Sequence, residues 1–182
     1  SVQKDLMVRG AGVVYGISVD LNIFEKHKLI IEEAKEKLGG IDIVLIAHGT
    51  LSNQSECETN SSLMLNEMNT NFLSSASLLT TLSTLMESQG YGTIVVIGSV
   101  AGDRGRQSNY IYGSAKSGLA TFVQGLRHRL SVKNINVLLI KPGFVDTPMT
   151  SGLKKQGFLW SKPEYVARDI DIAIKKNKSN YF

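Results

Sequence analysis

A tyrosine and a lysine four residues apart are the first groups in this chain with the means to do chemistry. Tyr112-Gly113-Ser114-Ala115-Lys116 opens a helical stretch, where that spacing sets phenol and ammonium on one face, one turn apart. A free phenol has a pKa of ~10 and is a poor acid at neutral pH. A neighbouring cation stabilises the phenolate and is expected to lower that value. The pair then serves as a general acid toward a carbonyl or a base toward an alcohol. With 6 tyrosines in 182 residues, such a spacing arises readily by chance, and a half-buried Tyr beside a solvent-facing Lys accounts for it equally well. Its company gives it weight. Ser99, in Ile97-Gly98-Ser99-Val100-Ala101-Gly102, ends an apolar run upstream of Tyr112. Its hydroxyl is a candidate to hold the same substrate oxygen, the alternative being a serine that merely caps a strand. Asn71, in Asn69-Thr70-Asn71-Phe72, falls mid-helix, where Asn has modest propensity. Met68 and Phe72 put it beside the buried face, so an inward amide is expected.

The elements that must position these groups follow from periodicity. Residues 1–10 read as the end of a helix. Val13 to Val19, β-branched and aromatic, reads as a strand ending at Asp20. Apolar residues recur at helical spacing over 23–38 and stop at Gly39-Gly40. Runs over 41–47, 91–98 and 136–140 are nearly all apolar, the mark of strands buried on both faces. A polar loop over 50–61 precedes a long helix over 62–88; further helices are expected over 110–131 and 163–177. The segment 144–162, with Met149, Leu153, Phe158, Leu159 and Trp160, is expected to form an apolar lid. Short strands alternating with helices predict a doubly wound α/β domain, a parallel sheet with helices on both faces. In such a sheet ligands bind beyond the carboxyl ends of the strands. Asp20, His48-Gly49, Ser99 and Pro142-Gly143 stand there.

Composition narrows the rest. The chain is 42% hydrophobic and 20% charged, ordinary for one globular domain over 1–182. A single cysteine, Cys57, excludes an internal disulfide and a thiolate metal cluster, and no metal site is expected. The net charge of +4 is spread among small clusters without interleaved aromatics, which argues against nucleic acid as a partner. No apolar run reaches the ~18 residues of a membrane span. The first ten residues lack the apolar core of a secretory signal, so a cytoplasmic location is expected.

Taken in order and spacing, Ala47-His48-Gly49 after a strand, Asn71, Gly98-Ser99-Val100-Ala101-Gly102, Tyr112-x-x-x-Lys116 and Lys141-Pro142-Gly143-Phe144-Val145-Asp146-Thr147-Pro148 resemble the short-chain dehydrogenase/reductase family. The likeness runs from Val13 to Ala173. It implies a Rossmann-type fold, NAD or NADP as cofactor, and hydride transfer between nicotinamide and a carbonyl or secondary alcohol. Tyr112 is implied as proton donor or acceptor, and Lys116 as the group that lowers its pKa and holds the nicotinamide ribose. Ser99 is implied to orient the substrate oxygen, and Asn71 to anchor a water leading from Lys116 to solvent. Asp20 is implied to cap the adenine amino group, and Ala47, His48 and Gly49 to line the cofactor. Pro142, Gly143, Val145 and Thr147 are implied to contact the nicotinamide carboxamide. The family implies homodimers or homotetramers through the helices at 62–88 and 110–131.

Two departures stand out. His48 replaces a backbone-supporting residue of the family's Asn-Asn-Ala-Gly segment, here Ile46-Ala47-His48-Gly49, and a supporting role is expected for it rather than that of a base. The family's glycine-rich phosphate loop, with its strand and helix, is expected ahead of residue 1. Gly10-Ala11-Gly12 precedes a strand instead of joining a strand to a helix and is not that loop. A further strand is expected after Tyr181-Phe182. The expectation is therefore a chain truncated at both ends, with the strands at 13–19 and 41–47 flanking a gap. The residue separating NAD from NADP would lie outside it. Segments 47–51, 101–106 and 110–114 resemble, more narrowly, the subgroup of decaprenylphosphoryl-2-keto-pentose reductases. That likeness implies a lipid-linked keto-sugar substrate whose phosphate Arg104 and Arg106 could meet. Two alternatives stand beside the oxidoreductase: a non-catalytic nucleotide sensor on the same fold, disfavoured by the joint presence of Asn71, Ser99, Tyr112 and Lys116, and a sugar-nucleotide epimerase, disfavoured by the compact spacing of the motifs.

Overall fold

The computed structural model describes residues 2–153, 159–177 and 180–181. The sheet is built on β1 (Ile43–Ile46), β2 (Gly92–Ile97) and β3 (Ile135–Ile140), paired parallel in that order. A two-strand ribbon of β4 (Phe144–Val145) and β5 (Trp160–Ser161) lies beyond it, and β6 (Asn180–Tyr181) joins the main sheet beside β3. The helices are α1 (Val2–Val8), α2 (His27–Leu38), α3 (Gln54–Thr59), α4 (Ser61–Met68), α5 (Ser74–Gln89), α6 (Tyr110–Leu130) and α7 (Pro163–Lys175).

Strand periodicity divides the core into two layers. Ile94 and Val96 of β2 point with Val137 and Leu139 of β3 toward α5 and α6, where Leu79, Met86, Leu119 and Val123 meet them. The alternate residues Val95, Leu138 and Ile140 face α7 through Ala173. Both faces of β2 and β3 are thus largely dry, which is why their sequences are nearly all apolar, Thr93 and Asn136 excepted. Register places Ile97 opposite Ile140, so β2 and β3 end level. The loops carrying Ser99 and Pro142 leave side by side, joined by Val100 N–H donating to Pro142 O at 3.3 Å.

Four expectations are corrected. Residues 13–19 form no strand, and they do not pair with β1. β-branched composition favours a strand only where a neighbour accepts its hydrogen bonds; here the run lies exposed, with Gly16 against the Gln3 side chain and Tyr15 under the Lys37 ammonium. The C-terminal strand expected to be lacking is present in short form: Asn180 and Tyr181 pair parallel with Leu139 and Ile140. The polar stretch 50–61 contains a helix, α3, because Asn53 accepts hydrogen bonds from Ser55 and Glu56 N–H and caps it, as Asn60 caps α4 through Leu63 N–H. Finally, the helix over 62–88 is interrupted by a π-helical turn at Asn69–Leu73, closed by Ser74 N–H on Asn69 O. Single π turns cluster at functional sites, and this one carries Asn71. Of the lid residues, Phe158 lies outside the described residues; Phe144 and Trp160 stack at 5.1 Å across the β4–β5 ribbon.

Candidate active site

Lys116 is the most unusual residue of α6. It lies on the helix face that buries Ala115, Leu119 and Val123, and is 4% exposed. Its Nζ donates to Ile97 O, at the end of β2, at 3.2 Å, and sits 5.7 Å from the centre of the Tyr112 ring. Burial lowers its pKa to about 8, and the Glu67 carboxylate opposes that fall. An ammonium has three N–H donors, and among the described residues Ile97 O is its one acceptor. The remaining donors suit the paired hydroxyls of a ribose.

Tyr112 is half-buried, with the Ser99 side chain near enough to act on its phenol. Its pKa is raised above the ordinary phenol value: burial pushes it up, the neighbouring Ser99 hydroxyl pulls it down, and the Glu67 carboxylate pushes it up again. The expected lowering by Lys116 is thus corrected. The ammonium stands off the ring and loses its own charge near pH 8, before the phenol would ionise. Tyr112 is therefore held as the neutral phenol.

Ser99 is brought to Tyr112 by close backbone packing. After Ser99 the chain makes a 3-10 turn, Val100–Gly102, capped by Ser99 Oγ accepting from Ala101 N–H at 3.1 Å. That turn presses on α6 at two glycines. A Cβ on Gly102 would lie 2.8 Å from Lys116 C and from Ser117 N, and a Cβ on Gly113 would lie 2.8 Å from Ala101 O. Side chains would force turn and helix apart, and Ser99 with the turn.

Asn71 is fully buried in the π turn. Its Oδ1 accepts from Thr50 N–H at 3.2 Å, and its Nδ2 donates to Thr50 O at 3.1 Å and to Glu67 Oε1 at 2.9 Å. A Cβ on Gly49 would stand 2.7 Å from Asn71 Oδ1 and 3.6 Å from Lys116 Nζ. The lack of a side chain at residue 49 thus lets amide and ammonium approach the same point. His48 turns to α5: its ring nitrogen lies 2.7 Å from Ser74 Oγ. The Ser74 hydroxyl donates to Thr70 O, so the His48 Nε2–H is the donor. Burial, then Lys116 and His27, lower the His48 pKa, which keeps the ring neutral in this supporting role.

The remaining expected residues fall around this centre. Asp20 is exposed and accepts from Asn22 N–H, and Asn22 Nδ2 bonds Thr70 Oγ1 at 2.9 Å, docking that turn beside the π segment. Ala47 is exposed just past β1. Pro142 and Gly143 leave β3 beside the Ser99 loop. Val145 O accepts from Thr150 Oγ1 at 2.6 Å, and that hydroxyl also meets Thr147 O. Arg104 and Arg106 are exposed on the loop between Ser99 and Tyr112. Sequence reasoning missed Glu67, 1% exposed and bonded to Asn71, and Thr150, which holds the turn after β4. Among the described residues there is no cluster of three or more potential metal ligands and no helix long and apolar enough to cross a membrane.

Comparison with known proteins places the chain in a family. Residues 3–157 match the short chain dehydrogenase family. An uncharacterized oxidoreductase of Mycobacterium tuberculosis is 35% identical over 173 residues, covering 95% of this chain and 69% of the relative. A 3-oxoacyl-[acyl-carrier-protein] reductase of Bos taurus is 31% identical over 77% of this chain and 60% of its own. Carbonyl reductase family member 4 of Xenopus laevis is 29% identical over 87% and 70%. The chain belongs to the short-chain dehydrogenase/reductase family of oxidoreductases.

Proposed function

We propose that this protein transfers hydride between the nicotinamide of NAD or NADP and a substrate carbonyl or secondary alcohol, with Tyr112 handling the proton. The observation that carries the reading is the packing of the Ser99 turn against α6 beside Tyr112, with the Lys116 ammonium 5.7 Å from the centre of the same ring. When bound, the nicotinamide supplies or accepts the hydride. The residues do the rest. Ser99 Oγ and the Tyr112 hydroxyl converge on the substrate oxygen, and in reduction the phenol gives its proton to that oxygen. Lys116 faces the developing phenolate and offers its free N–H donors to the nicotinamide ribose. Pro142, Gly143, Val145 and Thr147 border the carboxamide side, and Asp20, Ala47, His48 and Gly49 the remainder of the cofactor path. Within this class we favour a substrate with an apolar part and an anionic group, a lipid-linked keto-sugar being one. The aromatic pair Phe144–Trp160 and the exposed Arg104 and Arg106 support that choice. The groove between Phe72, Ser117, Gly118 and Phe122 is the surface we assign to self-association.

Fluorescence titration of the protein with NADH and NADPH tests the reading. Saturable binding of one of them, and oxidation of that nucleotide in the presence of a carbonyl panel, is expected; failure of both nucleotides to bind ends it. The pH dependence has a definite sign. Lys116 is charged below about pH 8 and neutral above it. That positive charge favours the phenolate formed when the proton leaves, and the help is lost once the ammonium deprotonates, so kcat/KM for reduction is expected to fall as pH rises through about 8. A profile flat to ~10, the ordinary phenol range, would show that the ammonium charge is not used.

A further inference from the structure

Glu67 is the buried charge that the site as described does not use. It lies at the end of α4, one turn before Asn71, and is 1% exposed. Four donors converge on its two oxygens. Thr50 Oγ1 and Ser52 Oγ donate to Oε2 at 2.8 and 2.6 Å, while Ser52 N–H and Asn71 Nδ2 donate to Oε1 at 3.3 and 2.9 Å. A carboxylate is an acceptor-only group with room for about four such bonds, and here that room is filled. The donors come from two places: the loop leaving β1, and the π turn. Glu67 therefore ties the loop that follows Gly49 to the amide that stands over Gly49, at the point Lys116 Nζ also approaches.

We propose that Glu67 is a positioning residue of the hydride-transfer site: its carboxylate fixes the Asn71 amide and the Thr50–Ser52 loop and holds a negative charge toward Lys116. The inference rests on the reading of Lys116 and Tyr112 as the proton-handling pair. Bare burial of an ammonium is unfavourable unless a counter-charge faces it; the Glu67 carboxylate, tied through Asn71 to the point that Lys116 Nζ approaches, pushes the Lys116 pKa up. The titratable groups that feel Glu67 are Lys116 and Tyr112 from α6 and Cys57 from α3. Of these, Lys116 is the cation.

Two substitutions separate charge from scaffolding. Glu67→Gln keeps an acceptor for Asn71 and removes the charge; Glu67→Asp keeps the charge and shortens the arm. NMR of isotope-labelled lysine, with the Lys116 signal assigned through Lys116→Arg, reads the ammonium directly and needs no turnover. In Glu67→Gln the Lys116 midpoint is expected to drop by on the order of one pH unit, and the alkaline limb of reduction to move with it. In Glu67→Asp the drop is expected to be distinctly smaller. An unmoved midpoint in the Gln variant, or equal drops in both, overturns the proposal. Should the Gln variant not fold, the native protein still decides: slow hydrogen exchange of the Asn71 side-chain amide is expected, and fast exchange refutes the Glu67–Asn71 tie. Failure of the catalytic reading looks different. There the Lys116 midpoint responds to Glu67 while no nicotinamide nucleotide binds.

Discussion

Tyr112→Phe is expected to lower turnover by roughly 10²–10⁴-fold, with cofactor affinity and fold nearly intact. The substitution deletes one oxygen. That oxygen is the only part of the side chain able to give a proton to the substrate, and the phenol is held neutral by its half-buried setting. Ser99 remains, but a serine hydroxyl beside a carbonyl supplies a hydrogen bond and no readily released proton. The structural loss is small, since a typical intramolecular hydrogen bond contributes about 1 kcal/mol net, and the ring keeps its packing beside Lys116. Steady-state reduction kinetics, with nucleotide fluorescence titration on the same preparation, check both halves. Full turnover in the Phe protein would remove Tyr112 from the mechanism. Lost nucleotide binding would instead make it a cofactor contact and leave the proton unassigned.

How much of this was legible in the chain depends on whether a residue's role is written locally. The Tyr112–Lys116 pair was legible because both groups share one helix, and a four-residue spacing fixes their relation without tertiary knowledge. The parallel sheet was legible because β2 and β3 are buried on both faces and so do not alternate polar with apolar, Thr93 and Asn136 being their only polar side chains. Glu67 was not. A glutamate in a helix is ordinarily solvated, and its partners Thr50 and Ser52 lie in a loop before α3, so only the fold shows it to be interior. The π turn was barely legible: Asn69-Thr70-Asn71 is a run of weak helix formers, but α5 after it is rich in Ser and Thr as well, so the run does not stand out. The run at 13–19 misled because strand propensity measures fit to a paired surface, and in this structure the run meets α1 and α2 instead of a strand. The direction of the Tyr112 shift was misjudged for a related reason. Charge proximity can be read from spacing, whereas burial, the larger effect here, cannot.

The close contact between the Ser99 turn and α6 leads to the second large effect. Alanine in place of glycine inside a helix ordinarily stabilises by ~1 kcal/mol. At Gly113 the sign is expected to reverse. The added Cβ would meet Ala101 O at 2.8 Å, and a backbone carbonyl of a tight turn has no flexible end to swing aside. The turn must retreat from α6, taking Ser99 with it, while Tyr112 stays on the helix. Overpacking of this kind costs about 1–3 kcal/mol, and a displacement of ~1 Å between groups that share a reacting atom can cost ~10²-fold in rate. Gly113→Ala is therefore expected to lower both the denaturation midpoint and kcat/KM. The same helix holds its own control. A Cβ on Gly125 meets nothing within 4 Å, so Gly125→Ala is expected to raise stability by up to ~1 kcal/mol with unchanged kinetics. Denaturant unfolding and reduction assays on the two variants check the pair together. Should they behave alike, the glycines facing the Ser99 turn are not what aligns serine with tyrosine. Divergence, with Gly113→Ala slow and Gly125→Ala unimpaired, would mean that the distance between Ser99 and Tyr112 is set by backbone against backbone, where Gly113 of α6 meets Ala101 O of the turn.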